Sequence, residues 1–131
     1  MELITSQKLA APGGHYSQGV VTGGLLFVSG QLPFNPATGT FAEGVDAQFL
    51  QAMANVEAVL LAAHASLANL VNVQIFITDV EQWPIVNAHY AKMMGAHRPA
   101  RAIIPCGQLH YGALVEITAV AELPHLKQET L

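Results

Sequence analysis

The spacing of hydrophobic and polar positions changes several times along this chain, and each change predicts an element. Two short apolar runs, 19–22 (GVVT) and 25–29 (LLFVS), flank the doublet Gly23-Gly24. Two glycines tolerate the left-handed backbone that a tight connection requires, so the runs should pair as a hairpin. Gly30 closes the second run, and Pro33, Asn35, Pro36, Thr38 and Gly39 mark the next stretch as a loop. From Val45 to Ala65 the period lengthens. Phe49, Met53, Val56, Leu60 and Ala63 recur at steps of three and four, interleaved with Gln48, Gln51, Asn55 and Glu57. This is the stripe of a long amphipathic helix, with Asp46 placed at the positive end of its dipole.

Strict alternation returns at 71–77, where Val71, Val73, Ile75 and Ile77 are separated by Asn72, Gln74 and Phe76, the pattern of a half-buried strand. Pro84 opens a second helix where its missing N–H costs least. Trp83, Val86, Tyr90 and Met93 or Met94 line one side of that helix, and Gly95 caps its end. Strands are expected at Ala100–Ile104 and Ala113–Leu123, joined through Pro105 and Gly112. Residues 1–18 read as turn-rich, and the polar tail 125–131 as loose. The order hairpin, helix, strand, helix, strand, strand predicts an α+β domain spanning 1–131, one sheet with two helices on one of its faces. No repeat, low-complexity tract or linker divides it.

Composition adds a constraint on assembly. Charged residues are only 11% of the chain and hydrophobic ones 52%, against a usual charged fraction of about 25%. A domain of this size cannot cover its surface with so few charges, which predicts that part of it faces other copies of the chain. The five basic residues are scattered and the net charge is −4, so neither a nucleic-acid footprint nor a polybasic membrane patch is expected. A single cysteine, Cys106, excludes an internal disulfide and fits a reducing compartment. The first residues, MELITSQKLAAP, have neither a basic leader nor an apolar stretch of signal-peptide length. A soluble, cytoplasmic protein is the expectation.

The unusual choices concentrate between Arg98 and Glu122. Glu116 puts a carboxylate inside the apolar alternation of Val115, Ile117, Ala119 and Val120, and Arg101 lies fifteen residues earlier among apolar neighbours. A charge in such a setting is costly unless something answers it. The two could form a buried ion pair with a purely structural role. Alternatively Arg101 offers its planar fork to a substrate carboxylate or phosphate while Glu116 handles a water. A simple hairpin between their strands would set position 101 opposite 116, whereas the connecting loop is also long enough for another strand to lie between. Other chemistry is thin. The six histidines show no HxH or HExxH spacing for a metal. No GxSxG elbow or glycine-rich phosphate loop occurs. Cys106, between Pro105 and Gly107, has no identifiable partner base and reads as packing.

The segments AP-GG-HYSQGV, LLFVSGQLPFNPATG, NVEAVLLAAHASL, NVQIFITDV, VNAHY, HRPAR and LVEITAVAEL, in this order, are similar to the reactive intermediate deaminase A (RidA/YjgF) family. The resemblance runs from about Ala11 to Leu123. It implies a chorismate-mutase-like fold whose sheets form the barrel of a homotrimer, with pockets at the subunit interfaces. It also implies hydrolysis of 2-imino acids to 2-keto acids and ammonia without metal or organic cofactor. Carried over by position, the carboxylate-binding arginine falls on Arg101, the water-placing glutamate on Glu116 and the closing tyrosine on Tyr16. The pocket glycine falls on Gly30 and the helix asparagine on Asn87. One position departs from the pattern: members nearest the archetype carry a cysteine two residues beyond the arginine, and here that residue is Ile103. Cys106 lies an odd number of steps further along the strand and should face the other way, so it is no substitute. Ile103 still offers a backbone N–H to a bound carboxylate. The departure leaves room for a non-catalytic member that binds or senses a small carboxylic acid. A nuclease role, also attached to this family, fits poorly with the charge.

Overall fold

The computed structural model describes residues 1–127, and its centre is a six-stranded mixed sheet. The strands are β1 (Glu2–Ile4), β2 (Gly19–Thr22), β3 (Leu25–Gln31), β4 (Leu70–Ile77), β5 (Ala100–Pro105) and β6 (Val115–Glu122). Their order across the sheet is β1-β2-β3-β6-β4-β5, antiparallel throughout except for the parallel pair β4/β5. The hairpin forms as expected, with Gly23 and Gly24 at φ +60° and +75° in its turn. β1 was not apparent in the sequence. It is three residues long and borrows its pairing from β2, so it carries too few positions to show a period.

Alternation decides which face is buried. On β6, Val115, Ile117, Ala119 and Ala121 are buried while Glu116, Thr118, Val120 and Glu122 are half-exposed. The buried set meets helix α1 (Val45–Ala62), whose expected stripe of Phe49, Met53, Val56 and Leu60 is almost completely enclosed. Gly19 allows this approach, because a Cβ there would stand 2.8 Å from Val59 Cγ1. Helix α2 (Trp83–Met94) packs beside α1 on the same face, with Val86, Tyr90 and Met94 buried. His89 on α2 bonds through Nε2 to Asp46 Oδ1 at 2.6 Å, tying the two helices where only a dipole role for Asp46 had been expected.

Several boundaries moved for local reasons. Helix α1 stops at Ala62, short of Ala65, because His64 turns to φ +61°. The Ala65 N–H then bonds to Leu60 O and the His64 N–H to Leu61 O, the pairing of a left-handed C-terminal cap usually given to glycine. Gly30 does not end β3. The strand continues to Gln31 through a bulge, since Val28 opposes Ala119 and Gln31 opposes Ile117. The start of the tail is ordered too: Pro124–Lys127 form one helical turn, α3, and Leu126 packs against the core. The remainder of the tail expected to be loose, 128–131, lies outside the described residues. Among the described residues no helix is long and apolar enough to cross a membrane.

Candidate active site

The bulge in β3 and the alternation of β6 build one group of candidate residues. Glu116 leaves the sheet on the face opposite the helices, and the bulge brings Gly30 directly against it. A Cβ at Gly30 would lie 2.5 Å from Glu116 Oε2. Position 30 is not at positive φ, so the requirement there is space for the carboxylate and not backbone freedom. Tyr16 comes in on the loop before β2. Ser29 Oγ donates to Ser17 O at 2.5 Å, and the Ser29 N–H donates to Gln18 O. Buried Gln18 holds the same loop from the other side, accepting from the Ser6 N–H and donating to Ala10 O. Tyr16, Gly30 and Glu116 line one cavity of about 730 Å3.

Burial pushes the Glu116 carboxyl above the ordinary carboxylate range, and a positive charge on His110 draws it partly back. A carboxyl so placed is a better proton acceptor than a fully solvated one. His110 lines the same cavity, as do Tyr111 and Phe34. None of these three had been singled out from the sequence. Tyr111 is 67% exposed yet sits at φ +60°, ψ 18°, a left-handed conformation costing a non-glycine residue about 1–2 kcal/mol. No sequence pattern signals that; only the backbone reveals it.

The second group lies around β5. Arg101 opposes Val73 on β4, one of the buried, helix-facing positions, and its side chain reaches α2. Its NH1 donates to Asn87 Oδ1 at 2.8 Å. The guanidinium carbon lies 5.0 Å from the centre of the Tyr90 ring and 5.7 Å from that of Trp83, within cation–π range. Trp83, Asn87 and Tyr90 are spaced i, i+4, i+7 along one stripe of α2, so the cradle was readable in principle from helical periodicity. Tyr90 is almost fully buried, and among the described residues its hydroxyl finds no hydrogen-bond partner. Burial raises its pKa, with Arg101 opposing the shift, which keeps it a neutral phenol.

Ile103 belongs to this second group through its backbone. The Cys106 N–H donates to Ile77 O at 2.8 Å. The alternation of a parallel ladder then turns the N–H groups of positions 101 and 103 away from β4, toward the open edge. Pro105, which has no N–H, falls on the same outward parity, where proline is tolerated. The Ile103 side chain packs against the core. Cys106 donates through Sγ to Gly107 O and lines no part of the Glu116 cavity.

The sequence left open whether Arg101 and Glu116 face each other across a simple hairpin or lie on strands separated by a third, and the structure takes the second arrangement. β4 lies between their strands, and position 101 opposes Val73 while 116 opposes Phe76. The six expected site residues separate into two groups within one chain: Tyr16, Gly30 and Glu116 on one side, Arg101, Asn87 and Ile103 on the other. The ion-pair alternative also fails, since among the described residues Arg101 has no carboxylate partner. Among those residues, too, no group of three or more His, Cys, Asp or Glu is close enough together to hold a metal ion.

The chain is similar in sequence and fold to known proteins. The sequence model described as endoribonuclease L-PSP matches residues 5–123. The 2-iminobutanoate/2-iminopropanoate deaminase of Salmonella typhimurium is 35% identical over 121 residues, covering 90% of this chain and 94% of that protein. Among solved structures, RidA from the Antarctic bacterium Psychrobacter superposes with a TM-score of 0.89 at 33% identity, covering 93% of this chain and 99% of that one. Escherichia coli TdcF with bound serine gives a TM-score of 0.88 at 30% identity, covering 93% and 98%. With the match running from before the hairpin to the end of β6, and with relatives above 30% identity along almost their whole length, this chain belongs to the RidA/YjgF family.

Proposed function

We propose that this protein hydrolyses reactive 2-imino acids to 2-keto acids and ammonia, in a site completed by a second copy of the chain. The observation that carries the reading is the state of Arg101. It is half-buried and hydrogen-bonded to a neutral amide, Asn87 Oδ1, with two aromatic rings beside it and no carboxylate among the described residues. Such a guanidinium is arranged for an anion from outside. Asn87 fixes its orientation, and the outward N–H of Ile103 offers a further donor. The deaminase name of a 35% identical relative supports the same chemistry.

Glu116 then acts on water. As the water oxygen bonds to C2 of the imine, Glu116 takes one of its protons and passes it to the nitrogen, giving a neutral carbinolamine. Glu116 next removes the hydroxyl proton while the C–N bond breaks, and the nitrogen leaves with that proton as ammonia. Substrate plus water equals keto acid plus ammonia, and the carboxylate is regenerated. An imine carbon is already electrophilic, so orientation and one general base are adequate equipment.

A single chain cannot bring Arg101 and Glu116 to one substrate, because their strands present them on opposite faces. The face bearing Glu116 also carries Phe27, Phe76 and Val120 at least partly exposed, an apolar surface suited to burial against like chains. A closed homotrimer, as the family resemblance implies, would place Arg101 of one copy beside Glu116 of the next. The test generates 2-iminopropanoate or 2-iminobutanoate in situ and follows ammonia or keto-acid release. Faster release than buffer, lost in a folded Arg101→Ala variant, is the expected result. A wild-type rate equal to buffer, with saturable keto-acid binding, would instead mark a binding protein.

A further inference from the structure

We infer that Phe34 and Tyr111 form a side-chain subsite that selects 2-imino acids carrying an aromatic ring. The inference rests on the deaminase reading for its reaction and on the Glu116 cavity for its geometry. Phe34 packs on Phe41 with ring centres 4.5 Å apart and meets Tyr111 edge-on, at 5.4 Å and 66°. His110 lies against Tyr111 with ring centres 3.6 Å apart. The result is an aromatic wall beside the carboxylate and not a scatter of surface rings.

The wall is held from below. Asn55, buried in α1, donates from Nδ2 to Leu32 O and Phe34 O at 2.9 Å, and Gln51 Nε2 donates to Asn55 Oδ1. Those bonds fix the backbone that carries Phe34. Tyr111 is fixed by its turn, with Gly112 and Ala113 bonding back to Leu109 O and His110 O. Its left-handed backbone presents the ring at the cavity while two-thirds of the residue stays exposed. Glycine would satisfy that backbone without strain. A tyrosine kept there points to a use for its ring, and an edge-to-face contact with a substrate ring is the use the geometry allows. A substrate whose side chain is a methyl or ethyl group would leave the wall uncovered.

The experiment compares the imines of phenylalanine and alanine, generated in situ, with wild type, Tyr111→Gly and Tyr111→Phe. It also measures calorimetric binding of phenylpyruvate and pyruvate. Wild type should favour the phenylalanine imine. Tyr111→Gly should raise its KM about tenfold, the size of one lost aromatic pair, leave the alanine imine unchanged, and be rescued by Tyr111→Phe. Equal kinetics for the two imines in wild type, equal losses on both in Tyr111→Gly, or altered assembly in that variant would each overturn the inference. If no imine is turned over, the deaminase reading fails by itself. Tyr111-dependent preference for phenylpyruvate would then still uphold the subsite, and its absence would overturn it.

Discussion

Arg101 and Glu116 leave opposite faces of the same sheet. Their backbone partners on β4, Val73 and Phe76, are three residues apart, and an odd separation along a strand reverses the side-chain direction. Each then meets surroundings of its own: the stripe of α2 for Arg101, the β3 bulge for Glu116. Under the proposed function, each chain would supply two separate halves of a site, and activity would depend on assembly.

Mixing damaged chains checks this directly. Arg101→Ala and Glu116→Gln should each be inactive alone. Co-expressed, they should recover activity, because an intact arginine on one chain can meet an intact glutamate on the next. With random assembly into closed rings, about one site in four regains both groups. Absence of any recovery in verified mixed oligomers would place both residues of each site in one chain and contradict the fold.

The raised carboxyl of Glu116 predicts two pH effects of different origin. As a base it must be ionised, so the rate should rise with pH through a value above the ordinary 4.5, measured as kcat/KM against pH. Replacing His110 by Gln should move that limb further upward, since a positive His110 lowers the value. Stability runs the other way. The folded state holds the Glu116 proton more tightly than the unfolded chain, so this contribution is fully present below pH 4.5 and lost as pH rises through the folded value. Thermal melts of wild type and Glu116→Gln should thus show the variant gaining on wild type from acid to neutral pH.

Gly30→Ala separates a packing role from a site role. The added Cβ would approach Glu116 Oε2 to 2.5 Å, and the carboxylate must swing aside. Since position 30 is not at positive φ, the backbone has no reason to rearrange. Stability should stay within about 1 kcal/mol of wild type, while kcat falls about 100-fold from displacement of the base. Denaturant titration and steady-state kinetics on the same preparation provide the check.

Tyr90→Phe tests the second half-site. Removing a buried hydroxyl that has no partner among the described residues should stabilise the protein by about 1 kcal/mol. The ring beside Arg101 is retained, so substrate KM should change little. A loss of stability in chemical denaturation would mean that the hydroxyl finds a partner in the assembled protein.

How far the sequence reached follows from the range over which each feature is decided. Helix stripes, the Gly-Gly turn and the alternation of β4 and β6 depend on neighbours within a few positions, and those were legible. So was Arg101 as a charge with no local partner. The insertion of β4 between β5 and β6 was not, because strand order is settled by which apolar faces bury one another beneath α1 and α2, not by loop length. The β3 bulge, the left-handed Tyr111 and the closing turn of α1 at His64 were equally hidden. Each is a backbone adjustment imposed by contacts distant in sequence, and none leaves a periodic trace. The amino acids by themselves named the groups capable of chemistry. Only the folding of the sheet determined which of them share a face, because that depends on strand order and register set by contacts distant in sequence.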